Sequence, residues 1–434
     1  MTESRKEILF YVIVGIILTG ALWRVFSSSS DPTLEGDTRT EVILAVMYAI
    51  VGVICVIQFR STTWVLLHFP AFTGLLVLAC VSWLWAETPD LVFRRSISLL
   101  GTSLFGIVLA TRLSFAEQLR LARWVFRLCA VACLVLFIVA PSRAVAVDYG
   151  TGSVRAIFPH KNLFGAAMAL GLVVEWYACD ERRFGRFLKL IFLGLFCGLL
   201  MVSHSITSIV TVGVTMLLLW LFETFHRRYR VPLVAILAFA VAMMLCVTLL
   251  GIDTDGFTEV LGRSKDLTGR TELWRSVGSM IWARPLLGYG FSGFWAGGSL
   301  ESYLVERYVG WSPTYSHNGY LELLLNLGMI GCALFLIFLR KGLTQTVHLA
   351  EQRTSREDMW PLAFTVFVVV HNCAECSILW QNCFEWSLFV ATIISADPLV
   401  YTLMNRGTAR VDLSAQGYRE QEYSPVAQGY AKHV

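Results

Sequence analysis

The chain has 434 residues, of which 56% are hydrophobic and 15% are charged, and its formal net charge is +4. Soluble domains carry nearer a quarter of charged residues, so this composition excludes an ordinary soluble protein and predicts an integral membrane protein. The small positive balance does not indicate nucleic acid as a partner, because lysine and arginine in such chains mainly set membrane topology.

Apolar stretches long enough to cross a bilayer recur along the whole chain. Windows of about 20 residues predict about twelve transmembrane helices. Their approximate bounds are 8–26, 41–58, 63–85, 95–111, 121–140, 161–178, 187–203, 206–222, 231–250, 318–339, 360–379 and 385–404. The first stretch lacks a small-residue cleavage pattern, so we interpret it as a helix rather than a cleaved signal. The predicted fold class is therefore an all-α, polytopic membrane bundle.

Basic residues are distributed unevenly among the loops between these spans. The loops after the fourth, sixth, eighth and tenth spans each hold several arginines or lysines and the loop after the second holds Arg60, whereas the alternate short loops are poorer in both. The positive-inside rule then places both termini in the cytoplasm and the long loop 251–316 outside. We expect residues 1–404 to form one membrane domain and residues 405–434 to form a disordered cytoplasmic tail.

The outer loop before the sixth span holds an unusual group of basic residues. Arg155, His160 and Lys161 can each carry positive charge, and Lys161 and Asn162 begin a predicted helix. Positive residues on the outer side are contrary to the positive-inside rule, so they indicate a function such as phosphate binding at a helix N-terminus. Contact with lipid headgroups is the alternative.

The connection from Gly251 to Ser316 spans roughly 66 residues, and long connections in compact proteins usually have a function. Apolar residues at helical spacing predict a short helix from Glu272 to Trp282, with Arg270 near its start. An arginine there opposes the helix dipole, but together with free backbone N–H groups it favours an anionic ligand. A surface arginine paired with Glu272 is the alternative.

Arg284 and Pro285 end this predicted helix, and a glycine-rich run from Gly288 to Gly293 follows. The glycines permit a turn that directs Arg284 and Tyr289 towards the same site. The run is not a dinucleotide motif, because it neither follows a predicted strand nor begins a helix. The aromatic residues of this region are expected either to stack on sugar rings or to form an interfacial belt; they are Trp282, Phe291, Phe294, Trp295 and Trp311.

His317 precedes the tenth span, with Asn318 beside it. A general base requires neutral imidazole, which the positive end of a helix dipole favours. A histidine that merely lies at the membrane interface is the alternative. Glu375, placed in the eleventh span, is a further candidate because a carboxylate in a membrane is costly and usually functional. The alternative is a position close to the outer surface, where Glu375 orients an arginine or lysine of the site.

Cys373 and Cys376 form a C-x-x-C pair two residues after His371. Spaced metal-binding partners are missing elsewhere in the sequence, so small residues on a packed helix face are the favoured interpretation. The sequence therefore predicts neither a metal site nor a cofactor.

Several short motifs occur in an order that resembles the O-antigen ligase/polymerase superfamily, and most closely its ExoQ-like exopolysaccharide polymerase branch. They lie between residues 152 and 386 and comprise Phe158–Gly165, Ser203–Ser208, Gly269–Trp274, Arg284–Gly290, Ser316–Tyr320 and Glu375–Trp386. The resemblance implies a metal-independent glycosyltransferase at the periplasmic face of the bacterial inner membrane. Its donor would be a saccharide on undecaprenyl diphosphate, which fits an outer face where nucleotide-activated sugars are not present.

The resemblance also implies roles for individual residues. Arg270 would hold the diphosphate, and His317 would act near the acceptor hydroxyl. Ligases of this superfamily commonly carry an arginine just after the serine-rich turn, whereas this chain has Ile206 there. The diphosphate would then need another cation, such as Lys161 or Arg155, and the departure favours a polymerase over a ligase.

The favoured hypothesis is a polysaccharide polymerase that transfers a lipid-linked glycan to the hydroxyl of an acceptor lipid-linked repeat unit. Catalysis is assigned to His317 and Arg270, and substrate binding to Arg155, His160, Lys161, Asn162, Arg284, Tyr289, Asn318 and Glu375. The expected partners are the undecaprenyl-diphosphate-linked oligosaccharide, membrane lipids, and the flippase, chain-length and export proteins of a polysaccharide pathway. Two alternatives stay open: an O-antigen ligase acting on lipid A-core, and a non-enzymatic transporter or flippase.

Overall fold

The computed structural model describes residues 3–21, 38–148, 151–180, 182–229, 268–295 and 299–400. The predicted ninth span, the long loop up to residue 267 and the tail 405–434 lie outside these ranges. Within them, the chain is helical apart from one two-stranded antiparallel hairpin. The predicted all-α membrane class is confirmed.

The first part of the described chain is a series of helices that ends in the hairpin. In order these elements are α1 Glu3–Leu18, α2 Thr38–Ile57, α3 Phe59–His68, α4 Pro70–Val81, a 3₁₀ turn Ser82–Leu84, α5 Pro89–Arg112, α6 Phe115–Val139, α7 Pro141–Ala144, β1 Val145–Asp148 and β2 Thr151–Val154. Ser114 and Glu117 form a capping box at the start of α6. This box satisfies two backbone N–H groups and fixes the start of the helix.

The second part carries the residues singled out from the sequence. Its elements are α8 Lys161–Tyr177, α9 Arg183–Val202, α10 Ile206–Tyr229, α11 Thr268–Ala283, α12 Leu300–Val309, α13 Gly319–Glu351, a 3₁₀ turn Glu357–Met359, α14 Trp360–His371 and α15 Phe384–Ser395. Helix α11 contains the short helix expected in the long loop, and α12 is a second helix of that loop. The three residues 203–205 separate α9 from α10, in agreement with the predicted ends of the seventh and eighth spans.

Six helices of the described ranges are long and apolar enough to cross a membrane, namely α2, α5, α6, α9, α10 and α13. The bent pair α3 and α4 makes a seventh if it counts as one span. The predicted spans 8–26, 161–178, 360–379 and 385–404 contain the shorter helices α1, α8, α14 and α15. The predicted number of about twelve spans is therefore not confirmed.

Two predicted spans are interrupted in the structure. The third bends by 97° where Phe69 meets Pro70, because proline cannot continue the helical hydrogen-bond ladder. The eleventh ends at His371, so the prediction that Glu375 lies inside a transmembrane helix is wrong. Asn372 stops the helix because its Oδ1 accepts hydrogen bonds from the backbone N–H groups of Ser377 and Ile378, at 2.8 and 3.0 Å.

Helix α8 packs against α6, α9, α10 and α14, and its two ends carry different polar groups. Asn162 lies at its start, and the fully buried Glu175 lies near its end, about 20 Å away along the helix. Arg123 and Arg127 each donate to Glu175 at 3.1 Å. Arg123, which was predicted for an inner loop, therefore contacts one end of α8. Asn162, which was predicted for the outer face, lies at the other end.

Helix α13 contains a kink at Gly328, whose φ is +64°. The glycine-rich turn docks onto this kink, because the N–H groups of Tyr289 and Gly290 donate to the carbonyls of Leu325 and Asn326 at 2.9 and 3.0 Å. A Cβ on Gly328 would collide with the backbone of Leu286. The kink therefore fixes the turn after α11 against the membrane bundle.

We expect Gly328→Ala to lower the free energy of unfolding by about 2 kcal/mol, because alanine is strained at positive φ and its Cβ would displace backbone. Gly194→Ala in α9 is the control, since an added Cβ there meets nothing within 4 Å. It should be neutral or slightly stabilising. Thermal unfolding of the detergent-solubilised proteins measures the difference. Equal melting temperatures for the two variants would contradict a required kink.

Candidate functional site

Four segments that are distant in the sequence meet at the carboxylate of Glu375. Its Oε1 accepts hydrogen bonds from Asn162 Nδ2 at 2.6 Å and from Arg270 Nη2 at 2.9 Å. Its Oε2 accepts from the Tyr315 hydroxyl at 3.2 Å and lies 3.6 Å from His317 Nδ1, an ion-pair distance. We call these five residues the carboxylate cluster. Its two oppositely charged members, Arg270 and Glu375, are only 17% and 7% exposed, so water weakens their attraction little.

Arg270 enters the cluster from the first turn of α11. Its Nη1 donates to the carbonyl of Ala374 at 2.9 Å and to Thr207 Oγ1 at 3.4 Å. The guanidinium thus joins the loop helix to the start of α10 and to the connection between α14 and α15. Its acidic partner is Glu375, rather than the neighbouring Glu272 considered as the alternative.

His317 has a left-handed backbone with φ of +52°, which is uncommon for a residue with a side chain. Its ring lies against Tyr315, with ring centroids 4.1 Å apart, and 6.0 Å from the ring of Trp311. Unfavourable backbone conformations of this kind persist where surrounding bonds impose them, and they are frequent at functional sites. Its surroundings therefore hold His317 in this conformation, with its ring between Tyr315 and Trp311 on one side and Glu375 on the other.

Asn318 serves as the N-cap of α13 rather than facing open space. Its Oδ1 accepts from the N–H groups of Tyr320 and Leu321, each at 3.1 Å, and the residue is fully buried. The N–H of Gly319 is shared by the carbonyls of Asn372 and Glu375, both at 2.9 Å. Helix α13 therefore begins directly on the backbone that carries Glu375, and Asn318 has a structural role in this arrangement.

The basic residues around the start of α8 differ in their roles. His160 caps the helix, because its Nδ1 accepts from the N–H of Asn162 at 3.2 Å. Asn162 then bridges Glu375 and Ser205, whose hydroxyl donates to Asn162 Oδ1 at 3.3 Å. Asn162 thus joins the serine-rich turn to the carboxylate cluster.

Arg155 and Lys161 are the positive residues of this segment that have no acidic partner among the described residues. The Nη1 of Arg155 donates to the carbonyl of Pro159 at a long 3.5 Å, and its Nε is buried without a hydrogen-bond partner among the described residues. Lys161 is half-buried and forms no ion pair within the described part of the chain. Lys161 directly precedes Asn162 in α8, so it lies at the same end of the helix as the cluster.

The electrostatics of the cluster keep Glu375 ionised. Burial disfavours the charged form, but His317 and Arg270 beside it overcome this effect and lower the pKa of the Glu375 carboxyl to about 2. A carboxylate next to Nδ1 favours the imidazole tautomer that carries its proton there. The other ring nitrogen is then free to accept a proton, which is the arrangement that a carboxylate-assisted histidine base requires.

Arg284 and Tyr289 do not join the cluster, so the prediction that their turn points towards the same site is wrong. The continuous helix α11 separates Arg284 from Arg270 by about 20 Å. Arg284 Nη2 instead pairs with Glu87 at 2.8 Å and with Glu301 at 3.3 Å, and its guanidinium lies over the Tyr289 ring. This group joins α11, α12 and the loop before α5.

The aromatic residues proposed for sugar stacking have separate positions. Phe291 and Phe294 are buried in the core, and Trp295 donates its indole N–H to Glu322 at 3.1 Å. Trp282 is exposed on α11. Trp311 is the member of this set that lies beside His317, so it is the aromatic residue placed to contact a sugar there.

Sequence reasoning did not identify Tyr315, Thr207 or Ser205 as parts of the site. Tyr315 had no signal beyond its position two residues before His317, and Ser205 and Thr207 were visible only as members of the serine-rich turn. No group of three or more metal-binding side chains occurs among the residues that the structure describes.

The fold and the cluster together define a helical membrane protein in which a loop arginine and a loop histidine meet a buried carboxylate. Residues 190–336, about a third of the chain, match the family model described as O-Antigen ligase. The matched stretch includes Arg270 and His317, and it supports the predicted O-antigen ligase/polymerase superfamily. The ExoQ-like branch is not distinguished by this match. A search of curated proteins found no match.

Proteins of this family are glycosyltransferase-like ligases and polymerases that act on lipid-linked oligosaccharides. The match therefore supports an enzyme of the ligase or polymerase type with a lipid-linked glycan as its partner. It also supports location in a membrane, in agreement with the apolar helices.

The low pKa of Glu375 predicts how its contribution to stability depends on pH. The folded-state pKa of about 2 lies below the ordinary value of 4.5, so the contribution is complete above pH 4.5 and is lost as the pH falls towards 2. Glu375→Gln should lower the free energy of unfolding by about 3 kcal/mol at pH 7. The difference in melting temperature between wild type and Glu375→Gln should stay constant between pH 7 and pH 5 and become smaller below pH 4.5.

Tryptophan-fluorescence melting in detergent at several pH values measures this difference. The control is Glu301→Gln, which removes a partly exposed partner of Arg284 and should cost at most about 1 kcal/mol. A difference in melting temperature between wild type and Glu375→Gln that stays unchanged below pH 4 would contradict the low pKa of the Glu375 carboxyl.

Proposed function

We propose that the protein is a polysaccharide polymerase. It transfers a glycan from undecaprenyl diphosphate to a hydroxyl of an acceptor lipid-linked repeat unit at the periplasmic face of the bacterial inner membrane. The observation that carries this proposal is the convergence of Asn162, Arg270 and His317 on Glu375. These residues come from segments that the distribution of basic loops assigns to the outer side.

The proposed topology makes residues 1–404 one polytopic domain. The loop 251–316 faces the periplasm, and both termini, with the tail 405–434, lie in the cytoplasm. On the periplasmic side the donor must arrive already activated, and a lipid-linked diphosphate meets that requirement. This placement is supported by the position of the cluster and the inner-loop arginines at opposite ends of α8.

In the proposed reaction, His317 is the general base. Its Nε2 takes the proton of the acceptor hydroxyl while Glu375 holds the Nδ1–H side of the ring. The hydroxyl oxygen then forms a bond to the anomeric carbon of the donor sugar, and the bond from that carbon to the diphosphate oxygen breaks. The electron pair leaves with undecaprenyl diphosphate, and the proton stays on His317 until it is released to water.

The departing diphosphate gains negative charge, and we assign its stabilisation to Arg270, Lys161 and Arg155. Arg270 already pairs with Glu375, so Arg155 before α8 and Lys161 at its first position supply the charge that is not neutralised within the cluster. The backbone N–H groups at the start of α8 add to this anion site.

An O-antigen ligase that uses lipid A-core as acceptor is the second candidate. Ligases of the superfamily commonly carry an arginine at the position of Ile206, whose side chain here is 45% exposed and apolar. The adjacent Thr207 contacts Arg270 instead. This difference removes one cation from the expected diphosphate site and supports the polymerase over the ligase.

A transporter or flippase fits the described residues less well. Transporters concentrate polar groups near the middle of the bilayer, often at broken helices. In the described part of the chain, the polar residues Glu175, His204, His371 and Glu375, which lie within or near predicted spans, are at or beyond helix ends. Glu175 is in addition neutralised by two arginines.

We expect His317→Ala and Arg270→Ala each to lower the rate of chain extension by at least about 100-fold, because one removes the base and the other a charge that stabilises the leaving group. The assay uses purified protein and undecaprenyl-diphosphate-linked repeat units, with product length read by gel electrophoresis. Arg307→Ala in α12 is the matched control, since among the described residues its guanidinium contacts the nearby Tyr303 and no residue of the cluster. Wild-type rates for both site variants would refute the assigned roles.

The same assay separates the two enzymatic candidates. A polymerase lengthens the lipid-linked repeat units without another acceptor, whereas a ligase transfers glycan only when lipid A-core is added. A product that forms only with lipid A-core would overturn the polymerase proposal. Transfer of lipid-linked glycan between membrane faces without a new glycosidic bond would support the transporter.

We further expect chain extension to persist within about 2-fold after treatment with EDTA, because fixed cationic side chains can neutralise a leaving diphosphate. The measurement compares rates in EDTA with rates after Mg²⁺ or Mn²⁺ is restored in excess. Loss of activity in EDTA and its recovery with metal would contradict metal-independent transfer.

A further inference from the structure

Glu322 is a buried carboxylate next to the carboxylate cluster but outside it. It lies in the first turn of α13 and is 5% exposed. Its Oε2 accepts from the N–H of Ser316 at 2.8 Å and from the indole N–H of Trp295 at 3.1 Å, and its Oε1 accepts from Asn326 Nδ2 at 3.2 Å. Among the described residues, all of these donors are neutral, and no cation pairs with Glu322.

Ser316, which precedes His317, is fixed through each of its polar groups. Its N–H donates to Glu322, its carbonyl accepts from the indole N–H of Trp274 at 2.8 Å, and its hydroxyl donates to the carbonyl of Asn318 at 2.8 Å. Its side chain is fully buried. We call Ser316, Glu322, Trp274 and Trp295 the Ser316 anchor. The anchor joins α11, the connection after α11 and α13 at one point of the backbone.

We propose that Glu322 is a positioning residue that acts through Ser316 to hold His317 against Glu375. This inference rests on the proposed base role of His317. The backbone of His317 is left-handed and so needs an external restraint. Its ring nitrogen is already 3.6 Å from Glu375, and displacements of about 1 Å at a catalytic group are known to cost large factors in rate.

The geometry predicts that the acceptor oxygen of residue 322 matters more than its charge. Both the Ser316 and Trp295 donors meet the same oxygen, which the amide oxygen of glutamine can replace. The amide nitrogen of glutamine would then face Asn326, whose amide can rotate to present its Oδ1 as the acceptor, because that oxygen is buried without a partner among the described residues. Glu322→Gln should therefore preserve the anchor, and Glu322→Ala should remove it.

The experiment compares Glu322→Ala and Glu322→Gln, each alone and combined with His317→Ala, using the purified full-length protein and lipid-linked repeat units. We expect Glu322→Ala to lower kcat about 50-fold with KM within about 3-fold, because positioning affects the reaction step more than binding. Glu322→Gln should stay within about 3-fold of wild type. When His317 is already replaced by alanine, adding Glu322→Ala should lower kcat by less than about 2-fold, because an effect that acts through the His317 side chain disappears with it.

A second pair of variants keeps the test valid if Glu322→Ala fails to fold. Trp274→Phe removes the donor to the Ser316 carbonyl but keeps a large ring, and we expect kcat to fall about 5-fold. Trp282→Phe, on the exposed face of the same helix, should leave kcat unchanged. Equal rates for these two variants would count against the anchor.

Three further outcomes overturn the proposal in distinguishable ways. A wild-type rate for Glu322→Ala beside an inactive His317→Ala protein refutes the anchor and leaves the proposed function standing. Equal inactivity of Glu322→Gln and Glu322→Ala shows that the charge, rather than the acceptor oxygen, is required. Full activity of His317→Ala refutes the base assignment and the anchor together.

Discussion

Glu375 is a carboxylate with little exposure to solvent, and burying such a charge is costly unless positive or hydrogen-bonding partners surround it. The structure meets this requirement with partners from three other segments, so one charge determines where α8, α11, the residues before α13 and the α14–α15 connection meet. Arg270 lies more than a hundred positions earlier in the chain, yet its Nη2 is 2.9 Å from this carboxylate. The ion pair thereby ties the loop helix to the membrane bundle, and the site exists because that charge has to be satisfied.

The same carboxylate depends on a helix that stops early. A residue four positions beyond the end of α14 can reach Asn162, Arg270 and His317 only because Asn372 diverts the backbone away from the helix. The connection from Asn372 to Phe384 contains left-handed residues at Leu379 and Asn382, and its N–H groups bond to side chains such as Thr102. Irregular backbone is tolerated in membrane proteins where protein groups satisfy it. The interruption of α14 is therefore a requirement of the site.

These features explain what the sequence could predict. Helix α11 follows from local periodicity, and Arg270, His317 and Asn162 stood out because each lies at the start of a predicted helix on the outer side. The alternative position of Glu375 included an arginine or lysine as its partner, but which one, and the convergence of Asn162 and His317 on the same carboxylate, was not predictable, because it depends on where Asn372 ends α14. The position of Arg284 was mispredicted for a similar reason: glycines indicate a turn, but its direction is set by the kink at Gly328, a tertiary contact absent from any local pattern.

The distribution of charge also bears on how the two substrates would be arranged. Arg270 is neutralised by Glu375, and Ile206 adds no cation at the serine-rich turn, so the positive charge without a described ion-pair partner lies at Lys161, the first residue of α8, and at Arg155 before it. The proposed diphosphate site is at these residues, whereas the ring of His317 packs on Tyr315 and near Trp311. An imidazole must be neutral to accept a proton, so positive charge next to the base has to be balanced. The Glu375–Arg270 pair provides this balance, and the same pair joins the loop helix α11 to the α14–α15 connection.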